Sequence, residues 1–263
     1  MAETILDRLA AHARERVAQA KRQRPLEDVR CQALALNTNT GFPFEKALSG
    51  PETAFICECK KASPSQGLIA PDFPYVSIAR EYEAAGAAAI SVLTEPKWFL
   101  GRDEYLREIA AAVKIPCLRK DFTVDEYMIY EAKLLGASAV LLICALLDEA
   151  ALRRYLSLCD TLGLSALTEA HDETEVRSAV AAGARVIGVN NRNLKDFSID
   201  LNNSRRLRAL APADTLFVAE SGIRTAADLA ALRACGVSAV LIGETLMRAP
   251  DKTALLAELR GTP

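Results

Sequence analysis

Eight short β-type runs, each parted from the next by a segment long enough to hold a helix, constrain this 263-residue chain more than any other feature. They are AFICECK (54–60), AAISVLT (88–94), IPCLRK (115–120), SAVLLIC (138–144), LSALTE (164–169), RVIGVN (185–190), TLFVAE (215–220) and SAVLIG (238–243). Parallel strands need a crossover of a dozen or so residues, usually a helix, so this alternation argues for a parallel α/β sheet. A helix-like segment runs through Gly-Ala or Gly-Val straight into a strand at Gly86, Gly136, Gly183 and Gly236, at intervals of two strand–helix units. Glycine suits the left-handed position that ends a helix. Eight strands in this rhythm predict an α/β fold of the closed (β/α)8 TIM-barrel type, for which about 250 residues is usual. An open doubly wound sheet is the alternative, but no GxGxxG follows the first run.

About 50 residues precede the first strand. Residues 3–22 have helical periodicity, with Ile5, Leu6, Leu9, Ala13 and Val17 near one face, and Pro25 follows. Phe42 and Phe44 lead into a second short helical stretch around Glu45–Leu48. The chain therefore divides into an N-terminal helical extension (1–50), capping one end of the barrel or covering its side, and a barrel domain (51–263). That length leaves no room for a second full barrel.

A net charge of −2 with interspersed acids and bases gives no basic face for nucleic acid. No apolar run is long enough for a membrane span, and the charged N-terminus is unlike a signal peptide. The expected location is cytoplasmic. Seven cysteines without CxxC or zinc spacing read as reduced, packed thiols, and His12 and His171 alone cannot make a multi-histidine metal site.

Side chains alternate along a strand. With the apolar set facing the helices, Glu58 and Lys60 point into the barrel near its C-terminal end. The same test aims Lys120, Glu169, Asn190 and Glu220 inward from the ends of later runs. Five ionisable groups and an amide converge on the face where such barrels keep their active sites. Buried ion pairs are rarely better than apolar packing, so folding alone does not account for them. After the seventh run comes Ser221-Gly222, and after the eighth Gly243-Glu244, the start of a short helix. Loops in these two places commonly bind phosphate through backbone N–H groups.

The stretches CECKKASPSQGLIAPDF, AISVLTEPKWFLG, LRKDFTVDEYMIYEAKLLGASAVLLI, LTEAHDETE, IGVNNRNL, VAESGI and VLIGETLMR resemble the indole-3-glycerol-phosphate synthase family, in order, from about residue 55 to 248. KASPS and KDF are the most specific matches. The resemblance implies a lyase of tryptophan biosynthesis. It closes, decarboxylates and dehydrates 1-(2-carboxyphenylamino)-1-deoxyribulose 5-phosphate, a phosphorylated small molecule, with no metal or cofactor. It implies Lys120 as general acid with a depressed pKa and Glu58 as the ion-pair partner holding it. Lys60 pairs with the substrate carboxylate or serves as a second acid. Glu169 is the base, Asn190 a hydrogen-bonding group and Glu220 an orienting one. Ser221, Gly222, Gly243 and Glu244 hold the phosphate, the Glu244 side chain turned away. Phe99, Phe122 and Leu141 line an aromatic slot, Arg192 meets an anion, and the loop with Ser63 and Pro64 closes as a lid. Trp98, where relatives often have Tyr, and Glu244, where some have Ser, depart from the pattern. The expected state is a monomer or weak homo-oligomer. Three rivals stand beside this reading: a sugar-phosphate isomerase, a Schiff-base lyase using Lys60 or Lys120, and a phosphate-ligand sensor that kept the barrel.

Overall fold

A computed structural model describes residues 4–193 and 197–261. Its eight barrel strands are β1 (Ala54–Cys59), β2 (Ala89–Leu93), β3 (Cys117–Lys120), β4 (Ala139–Ile143), β5 (Ser165–Ala170), β6 (Val186–Asn190), β7 (Leu216–Glu220) and β8 (Ala239–Ile242). Each pairs in parallel with its neighbour in sequence, and β8 closes on β1. This is the (β/α)8 barrel that the alternation predicts.

The crossovers are helical, and local sequence sets many of their ends. Asp125, Asp148, Asp172 and Asp251 accept a backbone N–H from the first turn of the helix each precedes, and Thr225 forms a capping box with Asp228. Gly86, Gly136, Gly183 and Gly236 all have φ between +76° and +87°, the left-handed turn out of a helix that other residues resist.

Strand alternation sorts the apolar residues into two cores. Phe55, Cys57, Cys59, Val140, Leu142 and Ile187 pack outward beneath the helices. Ile56, Leu118, Leu141, Leu167, Val218 and Leu241 fill the barrel interior. All seven cysteines are free thiols.

The N-terminal segment forms three helices. Helix α1 (Ile5–Gln23) has a capping box between Thr4 and Asp7 and buries Leu9, Ala13 and Val17; residue 3, where the expected helix begins, lies outside the described residues. Helix α2 (Leu26–Ala35) was not anticipated, because Pro25 read as an end and instead opens the next helix. Helix α3 (Pro43–Leu48) buries Phe44 and Leu48 against the barrel interior. Glu45 receives Arg185, just before β6, through two 2.9 Å hydrogen bonds. Helix α3 therefore plugs the N-terminal end of the barrel, and α1 lies at the opposite end. A two-residue antiparallel pair, Ala62–Ser63 with Gly67–Leu68, also forms in the first loop, too short to leave a periodic signal.

Candidate active site

The strand ends surround a cavity of about 750 Å³ at the C-terminal face of the barrel. Every site residue expected from the sequence lines it: the six charged or amide groups at the strand ends, the Phe99, Phe122 and Leu141 slot, Ser63 and Arg192, and the loops with Ser221, Gly222, Gly243 and Glu244. Strand register sets their neighbours, with Glu169 level with Gly188 and Asn190 level with Glu220.

The pairing of charges differs from expectation. Glu58 holds Lys60, not Lys120, with Nζ and Oε1 2.6 Å apart. Lys120 Nζ instead donates to Glu169 Oε2 at 3.1 Å and lies 3.6 Å from Glu220 Oε2. Glu58 of β1 and Lys60, the residue just after that strand, satisfy one another, while Lys120 reaches across the barrel.

This changes the acid–base balance. Burial pulls the Lys120 pKa down, but Glu169, Glu220 and Glu58 outweigh it and leave the ammonium above its ordinary value. The expected depression is therefore corrected, because the neighbours are carboxylates and not cations. Burial raises Glu169, but Lys120 and His171 hold it below the usual carboxylate range. Burial, reinforced by Glu169 and Glu58, pushes Glu220 up to about 8 against the pull of Lys120. Three carboxyls meet two ammonium groups here, and the charges balance when Glu220 keeps its proton.

Two glycines make room for these carboxyls. A Cβ at position 188 would strike Glu220 Oε1, and one at position 243 would strike Glu58 Oε1. Gly243 thus has a packing role beside Glu58 as well as a place in the eighth loop.

The aromatic wall rests on two buried carboxylates. Glu95 accepts the backbone N–H groups of Lys97, Trp98 and Phe99, and Asp121 accepts that of Phe122 at 2.8 Å. The Phe99 and Phe122 ring centroids are 6.0 Å apart. Helix α1 supplies partners to both: Arg16 donates twice to Asp121, and His12 Nδ1 is 3.1 Å from Glu95 Oε1. Ile5 and Leu9 of α1 also line the cavity. Sequence reasoning missed these contributions, since nothing local separates apolar helix residues facing a cavity from those facing a core.

At the opposite wall, Ser221 (φ +67°) and Gly222 (φ +88°) make consecutive left-handed turns. Ser221 Oγ donates to Asn190 Oδ1 at 3.0 Å, as does the backbone N–H of Arg192, fixing the amide. The Glu244 carboxylate lies 3.7 Å from Arg192 and 3.3 Å from Arg248. Those cations offset its repulsion of an anion. Among the described residues, no group of three or more His, Cys, Asp or Glu side chains is arranged to hold a metal ion.

A model of the indole-3-glycerol phosphate synthase family matches residues 6–259. The chain belongs to the indole-3-glycerol phosphate synthase family. It is 59% identical over 258 residues to the indole-3-glycerol phosphate synthase of Ruminiclostridium cellulolyticum, covering 98% of this chain and 99% of that one. Against the enzyme of the same name from Endomicrobium trichonymphae the identity is 52%, covering 97% and 99%. As a member of the indole-3-glycerol phosphate synthase family the chain is an enzyme, a carboxy-lyase of tryptophan biosynthesis. Among solved structures it resembles 3-hexulose-6-phosphate synthase (TM-score 0.63, 17% identity, 80% of this chain and 99% of that one). It also resembles the thiamine phosphate pyrophosphorylase of Pyrococcus furiosus (TM-score 0.60, 16% identity, 80% and 94%). At such identities these two speak for the fold alone. No helix among the described residues is long and apolar enough to cross a membrane.

Proposed function

We propose that the chain converts 1-(2-carboxyphenylamino)-1-deoxyribulose 5-phosphate to indole-3-glycerol phosphate, carbon dioxide and water, with Lys120 as general acid and Glu169 as general base. The observation that carries this reading is the 3.1 Å contact between Lys120 Nζ and Glu169 Oε2 in the cavity. It joins a loaded proton donor to an ionised acceptor, between an aromatic wall and the left-handed backbone turn at Ser221 and Gly222.

In the first step the ring carbon bearing the carboxylate attacks the ketone carbon, and the carbonyl electrons move to oxygen. Lys120 protonates that oxygen. An alkoxide is far more basic than an ammonium, so even a firmly held proton transfers downhill. Carbon dioxide then leaves, and its bonding electrons restore the aromatic ring. In the last step the hydroxyl takes a second proton and departs as water. That leaves a cationic anilino system whose proton is acidic enough for a weak base such as Glu169. The recovered proton returns to Lys120 across their contact, so each turnover draws one net proton.

Lys60, held by Glu58, pairs with the substrate carboxylate or supplies the second proton. Asn190 and protonated Glu220 hydrogen-bond the hydroxyl-bearing chain. Phe99, Phe122 and Leu141 take the aromatic half. Ser221, Gly222, Gly243 and Glu244 offer backbone N–H groups to the phosphate, Arg192 adds positive charge, and Ser63 lies in the closing loop. Residues 1–50 form an extension on a catalytic unit of residues 51–263. We place the enzyme in the cytoplasm as a monomer or weak homo-oligomer.

The test is indole fluorescence after mixing the protein with the carboxyphenylamino substrate, with Lys120→Ala alongside. Native protein should generate signal, and the variant should be slower by about 10²–10⁴-fold, the usual worth of a positioned acid. A variant within a few-fold of native passes the acid role to Lys60. An inactive native protein that still binds the substrate removes the synthase reading.

A further inference from the structure

Glu169 is held from two sides. Lys120 takes Oε2, and the other oxygen, Oε1, lies 3.4 Å from His171 Nε2. His171 follows β5 directly, so its ring folds back over the carboxyl two residues earlier.

The ring is fixed from behind. Glu175, in the first turn of the helix Glu173–Ala182, places Oε2 3.1 Å from His171 Nδ1 and accepts the backbone N–H of His171 at 2.7 Å. Asn203 donates to the His171 carbonyl at 3.0 Å. Nε2 is buried and has no hydrogen-bond partner of its own, so the nearest group to receive its charge is Glu169. The family reading assigns His171 no role, yet nothing about packing requires an imidazole between two carboxylates.

We propose that His171 is a positioning residue that orients Glu169 and supplies it with a second cation, rigidly held by Glu175. This rests on the reading of Glu169 as the base. A cation against a carboxylate keeps it ionised to lower pH, and a base must be ionised to act. Glu169 is faced by Lys120 from β3, Glu220 from β7 and His171 from just beyond the end of β5. His171 is faced by Glu169, Glu220 and Glu175, while Cys144 after β4 and Asp172 at the helix cap lie in the same neighbourhood. Burial lowers the imidazole pKa, but the Glu175 hydrogen bond and the three glutamates outweigh it and leave it above its ordinary value. That shift favours the charged ring, the form that supports Glu169.

His12 and His171 are the only histidines, so the imidazole NMR spectrum holds the signals of two rings and His171→Gln assigns them. In native protein the His171 signal should titrate above the ordinary range, and in Glu169→Gln it should fall back. In the pH profile of kcat, His171→Gln should move the acid limb up by roughly 1 pH unit, the usual effect of one adjacent charge. KM should stay near native, and Glu175→Gln should move the limb the same way by less. A His171 signal unmoved in Glu169→Gln, or an acid limb unmoved in His171→Gln, overturns the proposal. A Glu169→Gln enzyme as active as native sinks the general-base reading instead, whatever the NMR signal does.

Discussion

At the scale of single residues, the informative group is Glu220. It is buried, its Oε1 lacks a hydrogen-bond partner, and it packs over the bare backbone of Gly188. Its carboxyl is pushed up to about 8 from an ordinary 4.5. A raised carboxyl favours folding while protonated. That contribution is full below about 4.5, fades as pH climbs, and is gone above about 8. Glu220→Gln keeps a neutral group of the same shape at every pH. Its melting temperature should therefore gain on the native protein as the buffer goes from pH 6 to pH 9, and parallel thermal curves would show that Glu220 is not the group titrating. The cysteines are the opposite case. Burial pushes the Cys57 and Cys117 thiols up to about 12, which makes them poor nucleophiles. The packed reading, drawn for all seven from the absence of CxxC and zinc spacing, holds for these and the other buried thiols but not for Cys31, which is exposed, or Cys235, which is partly exposed.

At the scale of elements, helix α1 joins the first fifty residues to the cavity. Arg16 bonds both oxygens of buried Asp121 at 3.1 and 2.7 Å, and Asp121 also accepts from Thr94 and from the backbone N–H of Phe122. Removing one partner of a buried ion pair commonly costs about 3–5 kcal/mol. Thr94, Phe122 and the more distant Arg119 still serve Asp121, so Arg16→Ala should cost roughly 2–3 kcal/mol, below that range. Chemical denaturation measures it. The same variant should raise KM for the aromatic substrate, because Asp121 sets the backbone that carries Phe122. Helix α1 itself was visible from its periodicity, but its ion pairs were not. Arg16 and Asp121 are 105 residues apart, and no local pattern links them. Helix α2 was obscured because proline begins helices as readily as it ends them.

At the scale of the whole molecule, the barrel is finished differently at its two ends. The N-terminal end is plugged by Phe44 and Leu48, both fully buried in the interior core with Val186, Val218 and Ala239. The C-terminal end is left open for chemistry and lined with charge. Phe44→Ala should destabilise the fold by about 3–5 kcal/mol, the usual loss for a large buried aromatic, as read from urea unfolding. Activity at low temperature should stay near native, since the plug lies at the end of the barrel away from the cavity. A variant that loses activity while keeping its unfolding midpoint would show that the plug communicates with the site.

The sequence by itself determined the order of strands and helices, the side of each strand that faces inward, and hence which residues gather at the mouth. These follow from periods of two and of 3.6 residues, which are properties of short stretches of chain. Tertiary structure alone decided who touches whom once they arrive. It gave Lys60 to Glu58 and Lys120 to Glu169 and Glu220, and so reversed the direction of the Lys120 pKa shift. It also brought α1 to the rim of the cavity and set His171 against Glu169. The physical reason is that pairing across a closed barrel depends on stagger and on side-chain reach over several ångströms, and a charge responds to its nearest neighbours in space. Period reveals the face of a strand, but the distance between two faces exists only after the barrel closes.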